Sequence, residues 1–277
     1  MKNNFILLVI TAILFCCTAK ENNSTNIQKD TIAAENNQLA KKDSIKNDPR
    51  KIGPQKSRDQ LLIEDALKNI QNQDDNSLLG CWVGSFGQNK INIFIASIKG
   101  SDISGHSVCA GNYREMNGEI KEKKEGVFDV VMKEPGDNKY DGKFQFTLDQ
   151  NNKTLDGSWA PFNANATGSK KYSLRKKVFI YDPSVGTFPA GSTKLLSDVD
   201  VSNMLPEDLK LMRNEIYARH GYSFQNKEVR RMFDQMDWYF PVCVDVREQL
   251  TDTEVKNINL IYQYEQYYKE SYDNYGR

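Results

Sequence analysis

Histidine is almost missing from this 277-residue chain: His106 and His220 are the only two, and they lie far apart. A histidine-based metal site or a Ser-His-Asp relay would have to join distant segments. The five cysteines, Cys16, Cys17, Cys81, Cys109 and Cys243, include no pair at metal-ligand spacing. With the first two set aside three remain, an odd number that argues against a disulfide framework. Cys81 and Cys109 share one predicted domain and could pair in an oxidising compartment; small buried hydrophobes are the other reading. Charge of one sign is missing too, since 37 Lys and Arg balance 37 Asp and Glu. No field exists to hold a phosphate backbone, so nucleic acid is not an expected partner. No glycine-rich phosphate loop opens a helix, no His-Glu-x-x-His occurs, and carboxylates such as Glu119 and Glu122 fall in lysine-rich hairpins that read as solvated faces. The expectation is a protein without cofactor, metal or catalytic constellation. An enzyme would need polar side chains from separate segments to converge in one cleft.

Long apolar runs are also lacking. Phe5–Phe15 is the longest, too short for the roughly 20 residues that cross a bilayer. Behind Lys2 and ahead of an abruptly polar stretch, it has the layout of a cleaved secretory leader. Its end, Ile13-Leu14-Phe15-Cys16-Cys17, resembles the lipobox of bacterial lipoproteins. Cys17 is the better acceptor, because the cut then follows small Cys16 rather than bulky Phe15. The resemblance implies cleavage after residue 16, acylation of Cys17 with palmitate-like chains, and a lipid anchor in the outer membrane, facing the periplasm or the cell surface. Cys17-Thr18-Ala19-Lys20-Glu21 resembles a surface-export tag, and Asp30-Thr31-Ile32 and Asp43-Ser44-Ile45 resemble O-glycosylation sites.

Residues 17–56 are Asn, Lys, Asp, Glu, Gln, Ser and Thr with scattered Ala and Ile, which cannot bury enough apolar area to order, so a flexible tether is expected. Ser57-Arg58-Asp59-Gln60 reads as a capping box, the glutamine reaching back to the serine N–H. It opens a helix within 57–77 whose stripe of Leu62, Ile63, Ala66, Leu67 and Ile70 should pack on the next domain. From 78 to 181 the period becomes alternating, as in Lys143-Phe144-Gln145-Phe146-Thr147-Leu148, with turn clusters such as Lys99-Gly100-Ser101-Asp102 between runs. About eight strands at roughly 8 to 12 residue spacing suit a closed antiparallel β-barrel, a two-sheet sandwich being the alternative. Gly80-Cys81-Trp82 resembles the first-strand signature of lipocalin-like barrels, where the tryptophan closes one end beneath a basic residue of the last strand. Arg175 is placed to be that residue.

Residues 182–194 are a Pro- and Gly-rich connector, and 195–277 read as a three-helix module. Leu205, Leu209, Met212 and Ile216 share a face, Pro206 suits a first helical position, and Gly221 suits a left-handed helix end. A short helix is expected over 227–235, and Thr251-Asp252-Thr253-Glu254 is a capping box for a long last one carrying Val255, Ile258, Ile261, Tyr262 and Tyr268. The module resembles the YARHG domain of exported bacterial proteins, whose motif stands here as Tyr217-Ala218-Arg219-His220-Gly221. Leu211-Met212-Arg213-Asn214-Glu215-Ile216 precedes it, and Trp238-Tyr239-Phe240-Pro241 and Leu250-Thr251 with Glu254 and Asn257 follow. The resemblance implies an extracytoplasmic fold and no activity. Glu215 and Arg219, one turn apart, can pair, and His220 can hydrogen-bond orphan carbonyls at the helix end.

The sequence thus predicts an α+β multidomain lipoprotein with a non-catalytic interaction or structural role. Arg213, Asn214, Tyr217, Arg219, His220, Trp238 and Tyr239 are the candidate surface for envelope glycan or protein, with ties inside the module as the competing role. Tyr264, Tyr267, Tyr268, Tyr272 and Tyr275 near the end point the same way. A small apolar ligand in the barrel is the alternative, prompted by Ile91-Asn92-Ile93-Phe94-Ile95 with apolar residues on both faces. An unrecognised hydrolase is a third.

Overall fold

Alternating inward residues close the central part of the chain on itself. The computed structural model describes residues 48–70, 77–165 and 167–271; Cys17, both tripeptides, Tyr272 and Tyr275 lie outside them. Eight strands run β1 Gly80–Phe86, β2 Asn89–Lys99, β3 Asp102–Cys109, β4 Asn112–Lys124, β5 Val127–Lys133, β6 Gly142–Asp149, β7 Thr154–Pro161 and β8 Lys170–Lys177. Each pairs antiparallel with the next, and β8 returns to β1 in the register Trp82↔Lys176 and Val83↔Arg175, giving a closed barrel. Closure leaves no unpaired edge. Bulges at Ile95/Ser97 and Glu122/Lys124 bend the wall. At Gly105 the wall curls so tightly that a Cβ would run into the Phe94 carbonyl.

The alternation places Phe144, Phe146 and Leu148 in the interior with Ile93, Ile95, Met116, Met132 and Leu174. The run Ile91 to Ile95 is apolar on both faces for a specific reason. Ile91, Ile93 and Ile95 fill the barrel, while Phe94 points out and is covered. What covers it is helix α1, Arg58–Ile70, together with the C-terminal segment: Ile63, fully buried, sits with Cys81, Val83, Phe94 and Val108 of the wall and with Phe240, Val242, Cys243 and Val246. Ala66, Leu67 and Ile70 join this cluster, and Leu62 is half-buried.

The capping box of α1 is half realised. Ser57 Oγ accepts from the Gln60 backbone at 3.2 Å, but the Gln60 side chain does not reach back. It is completely buried, and its Oε1 accepts the backbone N–H groups of Val244 and Asp245, both at 3.0 Å. Two unpaired loop donors outcompete the helix start for that oxygen.

The expected three helices are α4 Pro206–Arg219, α5 Lys227–Phe233 and α6 Asp252–Ser271, preceded by single turns α2 Ala190–Thr193 and α3 Asp198–Val201. Such turns are too short to show a periodicity. Asn226 caps α5, accepting from Glu228 and Val229. The capping box of α6 forms in full, with Thr251 N donating to Glu254 Oε2 at 2.9 Å and Glu254 N to Thr251 Oγ1 at 3.2 Å. Gly221, at φ 75°, closes α4 as its position suggested. Barrel, α1 and helices fall within one compact unit, Asn47–Arg277. Among the described residues no helix is long and apolar enough to cross a membrane.

Candidate functional site

Helix α4 presents the motif residues on several faces, and their burial separates them into two sets. Arg219 and Glu215 are fully buried and paired at 2.9 Å. This is not the solvent-side pair worth a few tenths of a kcal/mol that one-turn spacing suggests, because the connector folds over it. Arg219 donates to Val185 O at 2.8 Å, Phe188 O at 3.0 Å and Ser192 Oγ at 3.1 Å, and Glu215 accepts the Thr187 and Phe188 N–H groups. The pair stitches residues 185–192 to the helix.

His220 does not meet orphan carbonyls. Its Nε2 lies 2.9 Å from Glu254 Oε2, and its ring stacks on Tyr181 at 4.4 Å. Glu254 also accepts from Tyr181 Oη at 3.0 Å and Ser192 Oγ at 2.7 Å. Burial by itself would raise this carboxyl; the bonds from His220, Ser192 and the Thr251 backbone outweigh it and hold it at about 2. Asn257, also fully buried, accepts from Leu196 N and donates to Gly191 O and Lys194 O, all at 2.8 Å. Tyr239 is buried with its hydroxyl on Tyr222 O at 2.8 Å, and Lys90 of β2 donates to the Tyr239 and Met236 carbonyls. Arg219, His220 and Tyr239 are therefore internal ties. Half-exposed Trp238 meets Phe233 and Tyr239 edge-on.

The second set, Arg213, Asn214 and Tyr217, lines one part of a cleft that measures about 1380 Å³ with the barrel mouth included. Arg213 is held by Glu265 through two bonds of 2.7 and 3.1 Å, and Asn214 Nδ2 by Lys210 O at 2.7 Å. Opposite stand Tyr113 of the β3–β4 hairpin, Tyr222 and the segment from Pro49 to Ser57. The hairpin is latched to the helices, Gly111 N donating to Ser223 Oγ at 2.8 Å. Arg247, which binds Asp245, donates to Ile52 O and Pro54 O and so fastens the third wall.

The cleft continues into one end of the barrel. There Phe86, Phe144, Trp159 and Tyr172 form an aromatic floor, with ring centroids 5.8 to 6.0 Å apart around Phe86. Lys170 lies 4.3 Å above Phe86 and 4.8 Å above Trp159. Sequence reading missed this mouth, although counting inward positions along β1, β6, β7 and β8 would have collected its rings at one end.

The opposite end is closed. Trp82 Nε1 donates to Leu78 O at 3.1 Å, and Lys176 binds the Ser77 and Leu79 carbonyls and lies 5.2 Å over the Trp82 ring. The cation is Lys176, not Arg175. Strand β8 turns Tyr172, Leu174 and Lys176 inward, so Arg175 points to solvent.

Cys81, Cys109 and Cys243 are free thiols. Cys81 faces the α1 interface and Cys109 the barrel interior, so the wall separates them. Burial pushes both thiols up to about 12, the wrong direction for a nucleophile. Among the described residues no group of three or more His, Cys, Asp or Glu side chains is arranged to hold a metal.

No curated protein and no solved structure matches the chain. Residues 187–266 match the YARHG domain, from the connector that Glu215 and Arg219 pin down to the body of α6. The helical part of the molecule is a YARHG domain, carried against the wall of an eight-stranded β-barrel.

Proposed function

We propose that this protein is a non-catalytic binding protein of the cell envelope, anchored in the outer membrane through acylated Cys17, and that it holds an extended glycan or peptide segment in the cleft. The carrying observation is the cleft's make-up. Tyr113, Tyr217 and Tyr222 offer rings beside the planar polar groups of Arg213 and Asn214. Rings with an apolar face and a polar edge suit a chain ligand that is stacked along its length and hydrogen-bonded at its sides. The buried ties of the motif support the reading indirectly, by making α4 a rigid wall.

The test uses the chain from Thr18 onward, which contains the whole Asn47–Arg277 unit, presented to purified peptidoglycan and to outer-membrane material. Retention on one of them should weaken about tenfold in Arg213→Ala, equivalent to about 1.4 kcal/mol. Failure to bind either material sinks the reading. The anchor is checked separately by intact mass after detergent extraction, where an unmodified mature terminus rules out acylation at Cys17.

A further inference from the structure

We propose that the open mouth of the barrel is a ligand site in its own right, shaped for a flat aromatic or apolar group bearing a single anion, which Lys170 meets. The barrel offers one usable end. Its far end is sealed by Trp82 and Lys176, and its middle is packed with Ile93, Ile95, Met116 and Met132, each at most 0% exposed. A ligand can therefore enter only from the mouth, and only as far as the floor of Phe86, Phe144, Trp159 and Tyr172. Tyr140 and Phe162, 55% and 52% exposed, add apolar shoulders on the two long loops beside it.

The charges at the mouth are unequal in how they are used. Asp141 accepts the Gly136 and Asn138 N–H groups and binds Arg114, which also holds Asp137. Glu134 accepts from Gly142 N at 2.7 Å and Trp159 Nε1 at 3.2 Å, and burial shifts its carboxyl upward, towards the neutral form. All three acids are committed. Among the described residues Lys170 has no carboxylate within ion-pair distance; its ammonium rests on two aromatic faces instead. That contact holds a cation in place at about 0.5–2 kcal/mol without neutralising it. Arg114 is spent on Asp137 and Asp141, its Nε buried with no hydrogen-bond partner, which leaves Lys170 as the cation for a ligand. A ring laid on the floor puts its substituent beside an ammonium on a flexible four-carbon stem, which can swing from the rings to the anion.

This inference does not depend on the reading of the groove. Its test compares two dyes with the same ring skeleton, 8-anilinonaphthalene-1-sulfonate and uncharged N-phenyl-1-naphthylamine, titrated into the chain from Thr18 onward, with energy transfer from tryptophan as readout. The sulfonate should bind at least ~10-fold more tightly, a preference that a single unneutralised cation can supply. Lys170→Met should bring the two dyes within ~2-fold of each other, Lys170→Arg should keep the preference, and Lys171→Met, on the outward-facing neighbour, should not alter it. The dyes report on the mouth and retention on envelope material reports on the rest of the cleft, so the two readings fail separately. Circular dichroism and melting confirm that each variant is folded. The proposal is overturned if neither dye saturates, if both bind equally to the unaltered chain, or if folded Lys170→Met retains the sulfonate preference.

Discussion

The barrel and the YARHG domain are packed side by side but are held together by different chemistry. The barrel interior is a continuous set of aliphatic and aromatic side chains, and its polar groups face outward or sit at its ends. The helical domain buries Glu215, Arg219, His220, Glu254 and Asn257 at 0 to 4% exposure, each bonded to a partner from another segment. Apolar packing is non-directional and tolerates exchange of like-sized groups. Buried ions tolerate little, because a lost partner leaves an uncompensated charge. The difference teaches that the motif residues of this domain tie three helices and a connector to one another, while Arg213, Asn214 and Tyr217 line the cleft.

The largest expected effect breaks this contrast if it is absent. Glu215→Ala leaves Arg219 buried without its carboxylate and should cost about 3–5 kcal/mol in denaturant unfolding. Ile93→Val in the barrel should cost about 0.5–1.5 kcal/mol. Similar losses at the two sites would mean that the ionic hub is not what specifies the helical domain.

Acid should separate the two kinds of packing next. Burial lowers His106, stacked on Phe94 at 4.7 Å, from 6.5 to about 3. Its folded pKa is depressed, so its contribution is complete above pH 6.5 and is lost as pH falls towards 3. Glu254, lowered from 4.5 to about 2, contributes above pH 4.5 and loses that contribution as pH falls through 2. Denaturant midpoints should decline from near neutrality downward. His106→Phe should flatten the upper part of that decline and leave the lower part, whereas an unchanged upper slope would remove His106 as its source.

Gln60→Ala removes the acceptor of two loop N–H groups and should cost about 1–3 kcal/mol. Hydrogen exchange should rise at Val244 and Asp245 and along α1; exchange confined to α1 would show that the loop is held by other means. The smallest effect belongs to Arg213→Ala, a partly exposed pair worth about 0.2–1 kcal/mol. Its melting temperature should barely move even where ligand retention falls, so a large stability loss would return Arg213 to the set of internal ties.

Periodicity made the strands and the long helices legible, because a barrel wall and an amphipathic helix each write their burial into every second or every third to fourth residue. The seam between the parts was not legible in that way. Gln60 looked like a capping residue and is a clamp on a loop almost 200 positions away; His220 looked like a helix-end donor and pairs with Glu254. Local chemistry ranks the partners within reach along the chain, and a distant partner wins only after folding brings it close.

By itself the sequence determined about eight alternating strand runs, the helix faces, the left-handed close at Gly221 and the YARHG match, all consequences of residue type and spacing over short distances. Tertiary structure alone decided that Lys176 rather than Arg175 covers Trp82, that Arg219 and His220 are buried while Arg213 and Asn214 line a cleft, and that one end of the barrel opens beneath Lys170. Those outcomes depend on which long-range partners claim each polar group and on how much solvent is left beside it, and spacing along a chain carries neither quantity.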